Sequence, residues 1–345
     1  MSRYGAVATR IRGMRSHLLS TEEYSRIASC ENVHDIAVYL KSHPSYSSAL
    51  SELDPDNMRR ARFERLLLNA LLEDIKKISH FLDRDQKKML SVYDTFFELR
   101  FINNVVRQIF NSFTDPVDLS VYRAMYSGSK NFNFNAVVSA ASIEELIRAL
   151  EGSKYSEPIE HLYKTLDDPG LFDYETALNR FYFSDFWEQV NRFNSGYDRQ
   201  VLLEVHGVEI DMLNMIWIYR AKTYYNISPQ EISRFLIPAY HDLKPREVSA
   251  MAAAQSTGEL MNIIGRTKYR RYINTANPSS MEDTRDFLID SINDKNRKKY
   301  PYSFAVIESY IFNKRTEIEH LIRITESVRY GYDPGTILKG LKIGN

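Results

Sequence analysis

The sequence predicts an all-α protein assembled from three related units. Two observations support this prediction: apolar residues recur at helical spacing through long segments, and one short helical motif occurs three times along the 345-residue chain. Alternating apolar and polar runs between turn signals, which a half-buried strand would produce, are hard to find.

Two long segments carry the clearest helical pattern. In "RFERLLLNALLEDIKKISHFL", residues 62–82, the apolar side chains lie three or four positions apart and so share one helical face. They are Phe63, Leu67, Leu71, Ile75, Ile78 and Leu82. A similar stripe lies near the C-terminus, in a segment without Gly or Pro, and consists of Ile307, Ile311, Ile318, Leu321 and Ile322.

Clusters of helix-breaking residues separate the predicted helices. We expect loops at "DPDN" (54–57), "TDPVD" (114–118), "DDPG" (167–170), "NPSS" (277–280) and "NDKNRKKYP" (293–301). The basic run "KNRKK" within the last cluster (295–299) is predicted to be a solvated loop, with contact to anionic lipid or to an acidic partner as the alternative.

The repeated motif is "SAASIEELIRALEGSKY" at 139–155 and "AAQSTGELMNIIGRTKY" at 253–269, with a looser copy, "SCENVHDIAVYLKSHPSY", at 29–46. Each copy has an apolar pair four positions apart and closes on a tyrosine. The pairs are Ile36 with Leu40, Leu146 with Leu150, and Leu260 with Ile264; the tyrosines are Tyr46, Tyr155 and Tyr269. These coincidences at a nearly constant period predict a threefold internal repeat.

Each copy also begins with the residues of a capping box. Asn32, Ser142 and Ser256 are followed three positions later by Asp35, Glu145 and Glu259. We expect the first side chain to accept from an amide of the opening turn and the acid to reach back to the cap's own amide. Gly152 and Gly265 suit the ends of the second and third helices.

Each repeat ends in a longer helix. These helices contain "FFELRFINNVVRQIF", "EIDMLNMIWIYRAKTYY" and "RTEIEHLIRITESVRYGY". The predicted domains are therefore three helical repeats at residues 1–113, 114–227 and 228–345.

Composition excludes several classes of function. Lys plus Arg and Asp plus Glu both number 45, so no overall basic field favours nucleic acid. The single cysteine, Cys30, fits a reducing compartment and occupies a position where the other copies have alanine, so we interpret it as a small core residue. The start of the chain lacks the pattern of a signal peptide, and no stretch is long and apolar enough to span a membrane. We expect a soluble intracellular protein.

The sequence gives little support for catalysis, a cofactor or a metal site. A glycine-rich phosphate loop with the required Lys and Ser or Thr is missing, so nucleotide hydrolysis is not predicted. Two Glu-x-x-His pairs, Glu31 with His34 and Glu317 with His320, would suit a di-iron centre in a helical bundle. The first pair has no counterpart in the other copies, so we expect no catalytic, cofactor-binding or metal-ligating residues.

The chain resembles the C/AC39 family of V-type and A-type ATPase subunits, which includes the d-type subunit of eukaryotic vacuolar ATPases. The resemblance lies in the opening "YGAVATRIRGMRSHLLSTEEYSRI", the capped helix ending in tyrosine, the middle "DMLNMIW" and the late "EIEHLIRI". It covers essentially the whole chain.

In that family the late helix usually carries Glu-x-x-Asn. Asp211 and Asn214 match this pattern, whereas Glu317 is followed by His320. In the first repeat Arg100 precedes Asn103, so the acid is lost there. These departures favour a packing role for the pair.

The resemblance implies three pseudo-symmetric helical bundles arranged as a funnel. It implies a non-catalytic rotor subunit that links the central stalk to the membrane rotor ring, so that ATP hydrolysis or synthesis is coupled to H⁺ or Na⁺ transport. The implied partners are the D-type and F-type stalk subunits and the proteolipid ring, with one copy per complex held peripherally at the cytoplasmic face of the membrane. The alternative from the residues alone is a helical-repeat scaffold that binds partners unrelated to any ATPase.

Overall fold

A computed structural model describes residues 4–111, 131–193, 196–225 and 227–342. The structure is all-helical, with 74% of residues in helices and no strand among the described residues. In chain order the α-helices of these ranges are α1 Gly5–Arg15, α2 Thr21–Ala28, α3 Val33–Ser42, α4 Arg60–Ser79, α5 Arg84–Leu90, α6 Asp94–Phe110, α7 Phe134–Val138, α8 Ile143–Ala149, α9 Ser156–Thr165, α10 Leu171–Asn191, α11 Tyr197–Arg220, α12 Pro229–Phe235, α13 Pro245–Ala253, α14 Thr257–Ile264, α15 Met281–Lys299, α16 Ala305–Arg329 and α17 Pro334–Gly340. The predicted all-α class is confirmed.

The chain packs as two compact units. The first combines Met1–Lys87 with Asn296–Asn345, and the second is Lys88–Lys295. In the first unit α16, from the end of the chain, packs against α4 and α1 and also contacts α2 and α3. In the second unit α10 packs against α6, α9 and α11, while α11 packs against α13. The last long helix therefore completes the core that the first helices begin. The division into repeats at 1–113, 114–227 and 228–345 stays a prediction.

Both predicted apolar stripes face the core. Phe63, Leu67, Leu71, Ile75 and Ile78 are all buried on α4, and Leu82 is buried just beyond its end. On α16 the first four residues of the stripe are buried and the last, Ile322, is half-buried; the buried ones are Ile307, Ile311, Ile318 and Leu321. Helical spacing in the sequence thus correctly identified the buried faces of both helices.

Three of the predicted loops do separate helices, and one prediction is wrong. Residues 54–57 and 277–280 contain short 3₁₀ turns, and 167–170 form a loop before α10. The segment 293–301, predicted to be a loop, is helical as far as Lys299, and the basic run 295–299 forms the last turns of α15. No Gly or Pro interrupts this segment before Pro301, and its three terminal cations favour the negative end of the helix dipole. The segment 114–118 lies outside the described residues.

The three capped helices are α3, α8 and α14, and each directly follows a short helix; the pairs α2–α3, α7–α8 and α13–α14 are called hairpins. The helices α7 and α8 pack together, as do α13 and α14, and Arg26 of α2 lies over the Tyr39 ring of α3. The predicted N-caps are confirmed. Asn32 Oδ1 accepts from the amide of Asp35 at 3.0 Å. The Ser142 and Ser256 hydroxyls accept from the amides three residues later at 3.2 and 3.1 Å.

The return bond of the predicted capping box is wrong in all three copies, because no acid accepts from the amide of its own cap at Asn32, Ser142 or Ser256. Glu145 accepts from the amide of Ala141 at 2.8 Å, and Glu259 accepts from Gln255 at 2.7 Å, one residue before each cap. The caps have φ near −139° and −146°. At Ser20, where φ is −78°, a complete capping box forms. The backbone rotation at the cap therefore decides which amide faces the acid.

The six aligned apolar residues of the hairpins are all fully buried. Ile36, Leu40, Leu146, Leu150, Leu260 and Ile264 each have 0% of their surface exposed. Gly152 lies just past α8 with φ +78°, a left-handed conformation that favours glycine, whereas Gly265 ends α14 in a right-handed conformation. The alignment of the three copies thus corresponds to equivalent positions in the packed hairpins.

Candidate functional site

The three tyrosines that close the hairpins each meet a carboxylate on a long helix. Tyr46 donates to Glu317 of α16 at 2.5 Å, and Tyr269 donates to Asp211 of α11 at 2.9 Å. Tyr155 donates to Glu98 of α6. The tyrosines are 0%, 3% and 0% exposed in the order Tyr46, Tyr269 and Tyr155, so these acid–tyrosine contacts lie inside the protein.

Each carboxylate also holds the segment that enters its hairpin. Glu317 accepts from the amide of Leu19, just before α2, at 2.5 Å. Glu98 accepts from the side-chain amide of Asn131, just before α7, at 2.8 and 3.1 Å. One acid therefore fastens both the entrance and the exit of a hairpin to a long helix.

Asp211 attaches α11 both to the loop before α13 and to the tyrosine that follows α14. Its two oxygens accept from the amides of His241, Asp242 and Leu243, at 3.2, 2.7 and 2.9 Å, just before α13. Burial raises the pKa of Asp211, although these amides and the Tyr269 hydroxyl stabilise its charged form. The carboxylate thus acts as a fixed acceptor for an entire turn of backbone.

The first long helix has Arg100 at the aligned position of the acid, yet another acid of the same helix takes part in the contact. Arg100 is exposed, but Glu98, two residues earlier on α6, makes the buried contact with Tyr155. The helix is therefore shifted by about half a turn relative to the Glu-x-x-Asn alignment. An acid within one turn of the aligned position was the available signal, and a strict alignment missed it.

The residue three positions after each acid differs in role. Asn214 donates to the carbonyl of Ile237 at 3.0 Å and accepts from its amide at 2.9 Å. These bonds add a second attachment between α11 and the segment before α13. His320 instead packs its ring against the edge of Tyr24, with centroids 5.7 Å apart. Asp211 with Asn214 is therefore a paired backbone clamp.

The acid–tyrosine contact of the first unit contains a buried cation that the sequence analysis missed. Lys314 Nζ lies 2.8 Å from Glu317 and 3.6 Å from the centroid of the Tyr46 ring, and the side chain is 0% exposed. Burial lowers the pKa of Lys314, against the attraction of Glu317. Thr95 and Val208 occupy the same position relative to the acid on α6 and α11. A lysine within an apolar helical stripe was the only sequence signal.

The tyrosines are neutral donors in this arrangement. Burial, together with the adjacent carboxylate, raises the pKa of each of Tyr46, Tyr155 and Tyr269 well above the ordinary value for tyrosine. A phenol that keeps its proton and a carboxylate that accepts its hydrogen bond form a strong charge-assisted contact. The chemistry suits mechanical attachment rather than proton transfer.

The two Glu-x-x-His pairs do not form a common site in the structure. Glu31 is exposed, and His34 lies 3.4 Å from both Asp35 and Asp56. Glu317 is engaged by Tyr46, Leu19 and Lys314 as described. Among the residues with described positions, no group of three or more His, Cys, Asp or Glu side chains is arranged to hold a metal ion.

Cys30 only partly matches its interpretation as a small core residue. Ala140 and Ala254, at the equivalent positions, are 6% and 3% exposed. Cys30 is half-buried, with its sulfur 3.6 Å from the carbonyl of Arg26. Burial raises the pKa of its thiol, so the unreactive protonated form is favoured.

None of the helices in the described ranges combines the length and the apolar character needed to cross a bilayer.

Comparison with known proteins gives a consistent result over nearly the whole chain. Residues 7–340 match the family model described as ATP synthase (C/AC39) subunit. The C subunit of the A-type ATP synthase from Pyrococcus abyssi is 24% identical over 342 residues, covering 97% of this chain and 89% of the relative. The equivalent A-type ATP synthase subunits from Methanosarcina barkeri and Methanobrevibacter smithii are 25% and 21% identical, covering 93% and 92% of this chain and 87% and 82% of those relatives.

Proposed function

Because the chain belongs to the ATP synthase (C/AC39) subunit family, we propose that it is the rotor subunit that couples the central stalk of a rotary ATPase to its membrane ring. The protein is a structural subunit, and the catalysis of ATP hydrolysis or synthesis belongs to other subunits of the complex. In this role it transmits torque between the ATP chemistry and the transport of H⁺ or Na⁺.

The family match carries this proposal, and the hairpin attachments support it mechanically. A part that transmits torque must resist deformation between the surfaces on which it is held. Each hairpin is fastened at its entrance and exit to a long helix by one buried acid: Glu98, Asp211 or Glu317. Hydrogen bonds to a buried charge are expensive to break, since the acid is then left without compensation.

We propose that the three predicted repeats form a funnel-shaped socket. One face of the socket would receive the D-type and F-type stalk subunits, and the other would rest on the proteolipid ring at the cytoplasmic face of the membrane. A single shaft has room for one socket, so the complex would contain one copy of this chain. The contact to the membrane would be peripheral and would run through the ring.

The direct test is capture of purified central-stalk subunits by the full-length chain in the absence of nucleotide, at low and moderate salt. The expected result is a stable one-to-one complex, with an unrelated helical protein carrying the same tag as the control. In the assembled ATPase, removal of this chain should leave ATP hydrolysis by the catalytic head intact and abolish coupled ion transport. Retention of coupled transport after its removal would refute the proposed role.

The second candidate function is a helical-repeat scaffold that binds partners outside any rotary ATPase. The repeated hairpin motif alone is compatible with it. This alternative predicts no capture of the stalk subunits at any salt concentration and no co-purification with the membrane ring. The same pull-down therefore separates the two candidates.

A further inference from the structure

The turn that follows the third hairpin carries a charge pattern that the other two copies lack. Residues 266–272, "RTKYRRY", are called here the basic turn and contain three arginines, one lysine and no acid. The equivalent windows around Tyr46 and Tyr155 are "HPSYSSA" and "GSKYSEP". The window around Tyr46 has no charged residue when its histidine is neutral, and the window around Tyr155 has one lysine and one glutamate, so both have a net charge of zero. Only the third repeat therefore presents a charge of +4 beside its buried tyrosine.

The basic turn is held firmly by its buried residues. Thr267 and Tyr269 are each 3% exposed, and Ile273 just beyond the turn is 5% exposed. The Thr267 hydroxyl donates to the carbonyl of Ile264 at 2.7 Å, and Tyr269 is bound to Asp211. The backbone of the turn contains the 3₁₀ helix Lys268–Arg271, for which Thr267 is the N-cap. All four cationic side chains are exposed, and the buried Thr267 and Tyr269 lie between the first three of them.

The cations of the basic turn are largely uncompensated. Lys268 forms an ion pair with Asp242. Arg266, Arg270 and Arg271 form no salt bridge with any residue whose position is described. Tyr272, which is 53% exposed, lies next to this pair of adjacent arginines. Three guanidinium groups and a phenol ring are thus displayed on a rigid backbone.

We propose that the basic turn is a docking surface for an acidic protein surface, and this inference rests on the proposed function because the stalk is the partner it addresses. Guanidinium groups bind carboxylates through paired hydrogen bonds, and arginine and tyrosine are both enriched in protein interfaces. A pre-ordered backbone reduces the entropy lost on binding. The chemistry calls for two or more carboxylates displayed close together, as on one face of an acidic helix.

A protein partner fits these observations better than a nucleic acid or a lipid surface. The chain as a whole has no net charge, so it generates no long-range field of the kind that polyanions require. Lipid-binding clusters typically place about four to eight cations beside a membrane span or along an amphipathic helix. The basic turn instead contains one short 3₁₀ helix, and its lysine is already paired with Asp242, which leaves three arginines.

The test compares binding of the purified D-type and F-type stalk pair to the full-length chain and to two double variants. Arg270→Gln with Arg271→Gln removes two charges from the basic turn. Lys87→Gln with Lys88→Gln removes two charges from another exposed pair of adjacent cations and serves as the control. Circular dichroism verifies that each variant is folded. A third variant, Arg270→Lys with Arg271→Lys, keeps the charge but removes the planar guanidinium.

We expect the Arg270→Gln, Arg271→Gln variant to bind the stalk pair at least about tenfold more weakly at low salt, with a smaller difference as salt rises. The lysine-to-glutamine control should bind like the unmodified chain, and the arginine-to-lysine variant should recover part of the loss. Equal binding by the two glutamine variants would overturn the docking inference and leave the proposed function standing. Absence of binding by the unmodified chain would overturn both.

The same variants distinguish a lipid surface from a protein. Vesicles of phosphatidylcholine, with and without phosphatidylserine, are sedimented with each protein. Capture by the phosphatidylserine vesicles that disappears in the Arg270→Gln, Arg271→Gln variant, together with unchanged stalk binding, would assign the basic turn to lipid and overturn the proposal. Stalk binding that depends on the arginines, with no such vesicle capture, would support it.

Discussion

Tyr46 donates a hydrogen bond to Glu317 at 2.5 Å, and this bond joins residues 271 positions apart. The Lys314 ammonium contacts the same carboxylate oxygen at 2.8 Å. A phenol, a carboxylate and an ammonium thus meet in the core of the first unit, where the first hairpin is fastened to the last long helix. Each member of this buried group depends on the other two for its polar or electrostatic partners.

The first prediction concerns the charge balance of this group. Glu317→Gln leaves the buried Lys314 without a carboxylate, and such a loss typically costs about 3–5 kcal/mol. Adding Lys314→Met should recover a large part of that loss, because the remaining side chains are then neutral. Urea unfolding monitored by circular dichroism measures both effects. Glu319→Gln, at an exposed position two residues away, should change stability by less than about 0.5 kcal/mol. A double variant no more stable than Glu317→Gln alone would contradict the interpretation.

The second prediction concerns the fit between α11 and the loop before α13. A Cβ atom at Gly207 would lie 2.6 Å from Cβ of His241, whose backbone amide is held by Asp211. Gly207→Ala should therefore destabilise the protein by about 1–3 kcal/mol through overpacking. Gly13→Ala on α1, where an added Cβ meets nothing within 4 Å, should instead stabilise by about 0.5–1 kcal/mol. Thermal unfolding measures the change in melting temperature of each variant. Equal changes for the two variants would show that the loop before α13 moves to accommodate the added methyl group at little cost.

The third prediction is a pH dependence that arises at His43. Burial lowers the pKa of the His43 imidazole below its ordinary value of 6.5, against the attraction of Glu23 and Glu317. The unfolded chain therefore binds this proton more readily, and the stabilising contribution is lost as pH falls through and below about 6.5. Its Nδ1 accepts from the amide of Ser45 at 3.2 Å, which also requires the neutral ring.

The free energy of unfolding, measured in urea at intervals from pH 8 to pH 5, should fall more steeply for the unmodified chain than for His43→Gln. The slope contributed by one histidine is at most about 1.4 kcal/mol per pH unit. His161→Gln, at an exposed position on α9, serves as the control and should follow the unmodified chain. Parallel curves for His43→Gln and the unmodified chain would refute this assignment.

The fourth prediction concerns the N-caps of α3, α8 and α14. Asn32→Ala, Ser142→Ala and Ser256→Ala should each lower stability by about 1 kcal/mol, because an amide of the opening turn loses its acceptor. Ser79→Ala removes a hydroxyl that bonds only to a carbonyl of its own helix and should have little effect. Chemical denaturation provides the comparison. If none of the three alanine variants is less stable than the unmodified chain, the caps do not contribute to stability and the prediction is wrong.

Local features of the fold could be predicted from the sequence because they depend on neighbouring residues. The caps at Ser142 and Ser256 and the buried faces of α4 and α16 follow from short-range spacing. Residues 295–299 were mispredicted because their polarity was taken as evidence for a loop. A run of lysine, asparagine and arginine has adequate helix propensity, and the charges favour a helix C-terminus.

The polar contacts of the hairpins could be predicted only in part because they join distant segments. The three tyrosines were identified as repeated residues, yet their partners on α6, α11 and α16 were not. Glu98 was missed since its helix is displaced by two residues relative to the alignment. Lys314 was missed because one cation in an apolar stripe does not reveal that Glu317 and the Tyr46 ring enclose it. Such pairs depend on how helices pack, which periodicity does not encode.

The attachment of the first hairpin to the last helix also governs how the chain is made. Glu98 and Asp211 precede Tyr155 and Tyr269 by 57 and 58 residues, so each of these carboxylates has left the ribosome before its tyrosine appears. Tyr46 must instead wait for 271 further residues, roughly 14–54 s at a synthesis rate of about 5–20 residues/s. During that interval the apolar faces of the first hairpin have no final partner and need protection from aggregation. The part of the protein that is synthesised first is therefore the part that finishes folding last.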